Sequence, residues 1–467
     1  MSMQKPSTAD RTMAGDVIAR SRRSPIEEEA SLLALEARYC AHGDSVHHAE
    51  PPKIFDHCEG SYLYDIEGRQ FLDLQMWHSA VNFGYANRRL NDALQRQLNR
   101  LPQIASQYLH RERIELAAWL ARRAEAGWGE RGRVHFNLGG SQAVADALKL
   151  VRNARGKAPV FAFAGSYHGR ALGRTRVDLD RPHLVPFPSP GRRPRGMSKE
   201  EHGEECLKQF TRLLETECGG ARDERAEAGY AAFFVEPIQS AGHVIPPRNF
   251  FRELKTILDR HQILLVVDEI QMGVYRTGKL WSIEHFGVTP DILVFGKAIT
   301  NGLNPLSGIW AREKLISPEV FPPGSASSNF ASNPLGTAVA LETVRMLDEV
   351  DFGESVMLKG AYFLKGLEEL KRRYAIICDV DGLGLALRME ICAEDGFTPG
   401  KAMVERMVEE GLKGDLEAEG KRHGLVLEVG GPEKNVIALA PALTISYEEI
   451  GLALKLLDRL LHRVTRR

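Results

Sequence analysis

The sequence runs to 467 residues, enough for two or three domains around a large core. Its 43% apolar and 26% charged residues are ordinary for a soluble globular protein. The formal net charge of −1 offers no basic excess for nucleic acid, and no apolar run approaches the ~20 residues that span a membrane.

Residues 1 to about 30 form a polar arm that includes the acidic cluster Glu27-Glu28-Glu29. The arm lacks the apolar stretch of a secretory signal, and Asp10 and Asp16 argue against a transit peptide. A mobile terminus is the default expectation there. Six cysteines, at 40, 58, 206, 218, 378 and 392, show no CxxC spacing, so neither zinc nor a disulfide scaffold is expected. A cytoplasmic protein with no metal follows as the expectation.

Residues 59–74 alternate well enough for a hairpin turning near Glu67-Gly68. From about 85 to 335, short apolar runs alternate with helix-length segments. The runs are Val160–Phe163, Ala232–Val235, Ile263–Val267 and Ile292–Phe295. Continuous apolar runs of this length read as strands buried on both faces, and the alternation predicts an α/β fold with a mostly parallel sheet covered by helices. The stretch PSPGRRPRG at 188–196 reads as a solvated surface loop. Beyond about 336 a second, smaller domain is expected. Its last helix has a capping box, Ser446 with Glu449, and a stripe of Ile450, Leu454, Leu457 and Leu461.

Asp268 ends one apolar run and Lys297 follows another, so an acid and an amine are predicted at the ligand-binding edge of the sheet. That pair suits pyridoxal phosphate. The lysine forms an imine with its aldehyde, and the aspartate keeps a proton on its ring nitrogen. For the pair alone, a strand-end acid and a surface lysine are an equal reading. Gly139-Gly140-Ser141 precedes a helix striped by Val144, Leu148 and Val151, and a helix start with glycines favours a dianion. No G-x-G-x-x-G follows an early strand, which disfavours a dinucleotide fold.

The surrounding words decide between these readings. Thr289-Pro290-Asp291-Ile292 before the lysine, Asp268-Glu269-Ile270-Gln271, and Gly273-Val274-Tyr275-Arg276-Thr277-Gly278 stand in one order. Tyr167-His168-Gly169 and Glu236-Pro237 lie upstream and Asn333-Pro334 downstream. Together they resemble the class III, or ω-type, aminotransferases of PLP fold type I, over roughly residues 50 to 460. The resemblance implies a large PLP-binding domain at 85–335. A smaller α+β domain would be built from 31–84 and 336–467, with 1–30 as the arm. It also implies site roles. Gly140 and Ser141 hold the phosphate, Tyr167 covers the ring with His168 beside it, and Gln271 reaches the phenolic oxygen. Glu236 positions that glutamine or meets the substrate, Asn329 reaches the phosphate of a neighbouring subunit, and Lys297 and Asp268 are catalytic. A homodimer or dimer of dimers follows.

Departures from the family bear on the substrate. Ala438 stands where much of the family has the arginine that binds the α-carboxylate, and Ala241 replaces the glutamate that masks it. The C-terminal stretch is similar to diaminobutyrate aminotransferases, which also lack that arginine. The expected function is therefore a ping-pong transfer of a distal (ω) or non-α amine to a keto acid through a Lys297 aldimine. The partners would be a small-molecule amine donor and a keto-acid acceptor, with no nucleic acid or membrane. Trp77, His78 and Tyr108 are candidate pocket walls, and Arg388 is a candidate for the missing cation. A PLP-dependent decarboxylase, racemase or aminomutase uses the same cradle, and a non-enzymatic PLP-fold protein is a further alternative that an intact Lys297 opposes.

Overall fold

The computed structural model describes residues 24–41, 49–156, 159–169, 182–190, 193–194, 196–220 and 229–466. Most of the arm, residues 1–23, lies outside these residues, as does part of the 188–196 loop. The rest of the arm opens a helix, Pro25–Tyr39, whose Ser24 cap is closed by Glu27 in a capping box.

Three N-terminal strands come first: β1 (Phe55–Glu59), β2 (Tyr62–Asp65) and β3 (Gln70–Asp73). The expected hairpin is β2–β3, with Tyr62 opposite Leu72. Next come β4 (Gly132–Asn137), β5 (Val160–Phe163), β6 (His183–Val185), β7 (Ala232–Val235), β8 (Leu264–Asp268), β9 (Ile292–Phe295) and β10 (Ser307–Arg312). They form a seven-stranded sheet ordered β4-β10-β9-β8-β7-β5-β6. The pairs from β6 through β9 are parallel, and β10 runs antiparallel to both its neighbours.

Both faces of this sheet are buried, which explains the unbroken apolar runs. Phe234, Val266 and Val294 face the helix Gly140–Arg155 through Val144, Leu148 and Val151. Phe233, Val267 and Phe295 face the opposite layer, with Phe250, Phe251 and Leu254 of the helix Phe250–Arg260.

The C-terminal part adds β11 (Ile377–Leu383), β12 (Ala386–Ile391), β13 (Leu416–Ala418), β14 (Lys421–Val426), β15 (Glu428–Gly430) and β16 (Val436–Leu439). One sheet is ordered β11-β12-β16-β15, and the other β1-β2-β3-β14-β13. In the latter, β14 pairs in parallel with β3, so the two ends of the chain share a sheet. The last helix, Tyr447–Thr465, has the expected capping box and buries Ile450, Leu457 and Leu461.

Arg276 joins these parts. Fully buried, it donates to the carbonyls of Leu385 and Pro441 at 3.2 and 2.5 Å and to Asn82 Oδ1 at 2.6 Å. Burial pulls its guanidinium down to about 9. The cysteine expectation needs one correction, because Cys378 and Cys392 form a disulfide between β12's end and β11. Sequence spacing gives no sign of it, since antiparallel pairing alone brings the two residues together. Among the described residues no helix is long and apolar enough to cross a membrane.

Candidate active site

Parallel strands end on the same side, so residues that follow them gather at one edge. Asp268 is the last residue of β8, and Lys297 lies two residues past β9. Glu236 follows β7 directly, and Tyr167-His168 follow β5 after a short turn. All of these but His168 line a cavity of about 390 Å³. Its walls include Trp77, His78, Gly140, Ser141, Tyr167 and Glu236, with Asp268, Gln271 and Lys297.

Lys297 Nζ donates to Gln271 Oε1 at 2.6 Å and to the His78 carbonyl at 3.0 Å. Burial pulls its amine below the usual lysine range, although Glu428, Asp268 and Glu236 pull the other way. A larger share of this amine is therefore neutral near pH 7 than for an exposed lysine. Its backbone is left-handed, with φ 44°, which turns the side chain off the strand's end.

Asp268 is held at both oxygens. Oδ1 accepts the Ile270 N–H at 3.1 Å, and His168 Nδ1 donates to Oδ2 at 2.9 Å. Burial opposes a charge on His168, but the Asp268 bond and charge more than offset it, so the imidazole titrates above its ordinary value. Glu236 accepts the Tyr167 and Ser240 N–H groups at 2.8 and 2.9 Å. Burial pushes its carboxyl up.

At the far end the helix Gly140–Arg155 opens with Gly139 at its cap and no side-chain capping bond. A helix start of this kind presents N–H groups that no preceding turn satisfies, which is the arrangement that accepts a dianion. Gly169, at φ 68°, presses on this start. A Cβ there would stand 2.3 Å from Ser141 Oγ and 2.9 Å from Ser141 Cα.

Trp77 and His78 enter the cavity from a left-handed turn, Met76–Ser79, with φ between 44° and 60°. Asp73 Oδ1 holds its start, accepting the Gln75 and Met76 N–H groups at 2.7 and 2.8 Å. The His78 ring pairs with Glu428 Oε1 at 3.0 Å.

Four candidates do not line the cavity, and the first, His168, stands behind it, bonded to Asp268. Arg388 is buried at 2% exposure and ion-paired with Asp379 at 2.9 Å and Glu390 at 2.5 Å. Asn329 is exposed and does not line its own subunit's cavity. Tyr108 is exposed at 59%. Conversely, sequence reasoning passed over Glu428 and His243. An acid between the apolar stretch Leu425–Leu427 and Val429-Gly430-Gly431 was the available signal for the first. For His243 we find no such signal.

A pyridine ring bearing an aldehyde, a phenolic oxygen and a phosphate fits this donor set. It needs an acid at its nitrogen, an amine at its aldehyde and a helix start at its phosphate. It also needs a donor at the phenolic oxygen, and Gln271 Nε2 is buried without a hydrogen-bond partner.

The comparisons with known proteins agree. A family model described as aminotransferase class-III matches residues 45–461. The alanine/serine racemase of Pyrococcus horikoshii is 32% identical over 421 residues, covering 86% of this chain and 84% of that one. The 5-aminovalerate aminotransferase DavT of Pseudomonas putida is 29% identical, over 84% of this chain and 89% of its own. Among solved structures, an amine transaminase from an uncultivated Pseudomonas species, in its PLP-bound form, superposes with a TM-score of 0.79. It is 24% identical and covers 91% of this chain and 98% of its own.

Proposed function

The chain belongs to the class III aminotransferases, and on that footing we propose that it moves a distal or non-α amine to a keto acid. It is a pyridoxal-phosphate enzyme of fold type I. When bound, the cofactor supplies an electron sink for the carbon that bears the amine.

The chain's own residues divide the remaining work. Asp268, with its charge balanced by His168, keeps a proton on the ring nitrogen. The Gly140-Ser141 helix start would hold the phosphate, Gln271 would donate to the phenolic oxygen and Tyr167 would cover the ring. Lys297 would anchor the cofactor and is the group that would move a proton at the reacting carbon. Glu236 ties the Tyr167 backbone to the Ser240 turn and fixes the wall on that side.

The observation that carries the substrate reading is Ala438. It is fully buried on β16, and the nearest arginine in its sheet, Arg388, is taken up by two acids. Among the described residues no arginine lines the cavity, and Lys297 is its one lysine. A buried, unpaired α-carboxylate costs roughly several kcal/mol. Amines that stand apart from an α-carboxylate avoid that cost.

The working unit is proposed to be a cytoplasmic homodimer whose partner contributes Asn329 to the phosphate site. Leu109 and Phe330 support it as large apolar side chains 69% and 67% exposed. They stand on segments joined by a 2.9 Å bond from His110 Nε2 to the Ser332 carbonyl. A screen of amine donors against keto-acid acceptors tests the whole reading, with products analysed with and without acceptor. Amine loss that depends on the acceptor is expected. Inversion of a donor's stereocentre without any acceptor would overturn it in favour of racemisation, the activity named for the Pyrococcus relative.

A further inference from the structure

We propose that Glu428 receives a second, cationic end of the amine donor, so that the cavity selects donors carrying two positive charges. The proposal rests on the aminotransferase reading and names the substrate class within it.

The sheet register places this carboxylate. On β16, Ala438 lies directly opposite Arg388 of β12 on one side and Glu428 of β15 on the other. Cross-strand partners project from the same face. Where an arginine would present positive charge, this chain presents a methyl group flanked by an acid. The other neighbour contributes no spare positive charge, because Arg388 is neutralised by Asp379 and Glu390.

Glu428 is buried, at 7% exposure, and its two oxygens differ. Oε1 pairs with His78 Nδ1 at 3.0 Å, whereas Oε2 is buried without any hydrogen-bond partner. A buried carboxylate oxygen left so is costly unless a ligand completes it. Burial alone would favour the protonated acid, but the His78 hydrogen bond and the nearby Lys297 charge help to offset it and hold the carboxyl below its usual range. Glu428 is therefore charged at neutral pH. His243 does not claim the free oxygen with a charge, since burial pulls its imidazole down and its Nδ1 donates to the Leu387 carbonyl at 2.9 Å.

The position is close to the reacting group. His78 lines the cavity, its ring holds Glu428, and its carbonyl accepts Lys297 Nζ at 3.0 Å. Glu428 itself does not line the cavity; it stands behind His78, whose imidazole is the group between its carboxylate and the cavity. Trp77, on the same wall, adds an indole face of the kind that attracts cations. An ammonium or guanidinium reaching Oε2 would form a charge-assisted bond in a dry site, the stronger class of hydrogen bond.

The test uses holoenzyme and matched donors of equal length: diamines, ω-amino acids and monoamines of three to five carbons, with one keto acid. The expected result is a kcat/KM for diamines at least about tenfold above that for monoamines, expressed mainly in KM, with ω-amino acids poorest. Glu428→Gln should collapse the diamine-to-monoamine ratio toward one, and Glu428→Lys should invert it in favour of ω-amino acids. A variant-free measurement runs alongside. Alkylguanidinium ions, which carry the charge but no transferable amine, should bind unmodified holoenzyme in calorimetry and compete with the diamine. Failure of these ions to bind, or an unchanged ratio in folded Glu428→Gln protein, overturns the proposal. If monoamines are still transaminated, only the Glu428 assignment falls. If no amine is transferred to any keto acid, the functional reading itself falls.

Discussion

Replacing His168 separates a positioning bond from bulk packing. His168→Phe keeps a ring of similar size and removes the 2.9 Å bond to Asp268 Oδ2, leaving that carboxylate only the Ile270 N–H at 3.1 Å. His168 Nε2 makes no close hydrogen bond, so on that side the phenyl ring forfeits only the weaker support of the Phe234 backbone. Hydrogen bonds to charged groups contribute about 1.5–3 kcal/mol. At about 1.4 kcal/mol per factor of ten, kcat/KM should fall roughly ten- to a hundredfold. His168→Asn, which keeps a donor near the Nδ1 position, should recover much of that loss. Steady-state kinetics at saturating cofactor measures both, with circular dichroism and melting confirming the fold. The linkage sign follows from the raised imidazole. Its contribution to stability is complete below the ordinary histidine value of ~6.5 and is lost as pH rises through the higher folded value. Melting of unmodified protein should show that step, and His168→Phe should lack it. Equal behaviour of the Phe and Asn variants, or no loss in either, would refute the assignment of His168 as the partner that orients Asp268.

Lys297→Ala should lower turnover by at least about a hundredfold, the lower range for a lost proton-transfer group, and an undiminished rate would refute its role. Gly169→Ala combines left-handed strain of about 1–2 kcal/mol with overpacking of about 1–3 kcal/mol against Ser141, so cofactor affinity should drop more than about tenfold by absorbance titration. Gly129→Ala, at the same φ of 68° but with nothing within 4 Å, is the control that should lose only the strain. Co-expressed Lys297→Ala and Asn329→Asp subunits should regain activity that neither has alone if Asn329 acts across the dimer, and activity in a monomer by light scattering would exclude it.

The large sheet was legible because its strands are buried on both faces. Val160–Phe163, Ala232–Val235 and Ile292–Phe295 announce themselves without any tertiary information. Asp268, Lys297, Gly140 and Ser141 were legible for a related reason, since each is tied to the end of a strand or the start of a helix. The C-terminal region was harder. β13, β15 and β16 are three or four residues long, and their pairing is decided by partners far along the chain. Arg388 shows the limit. The sequence displays a cation in an apolar strand, but only β11 pairing brings Asp379 beside it. Glu428 shows the same limit from the other side, because its significance comes from register with Ala438 rather than from its neighbours in sequence.

Arg276 gives the architecture a consequence for evolution. The groups proposed to hold the cofactor stand on the edge of the seven-stranded sheet, whereas His78 and Glu428 belong to the segments built from the chain's two ends. One guanidinium touches Asn82, Leu385 and Pro441 from the first body and so works as a gauge block between the two. Specificity can drift by substitution on one side of that block while the chemistry on the other stays in tolerance. The same cofactor edge can then serve many donors, provided the spacing it is machined to is kept.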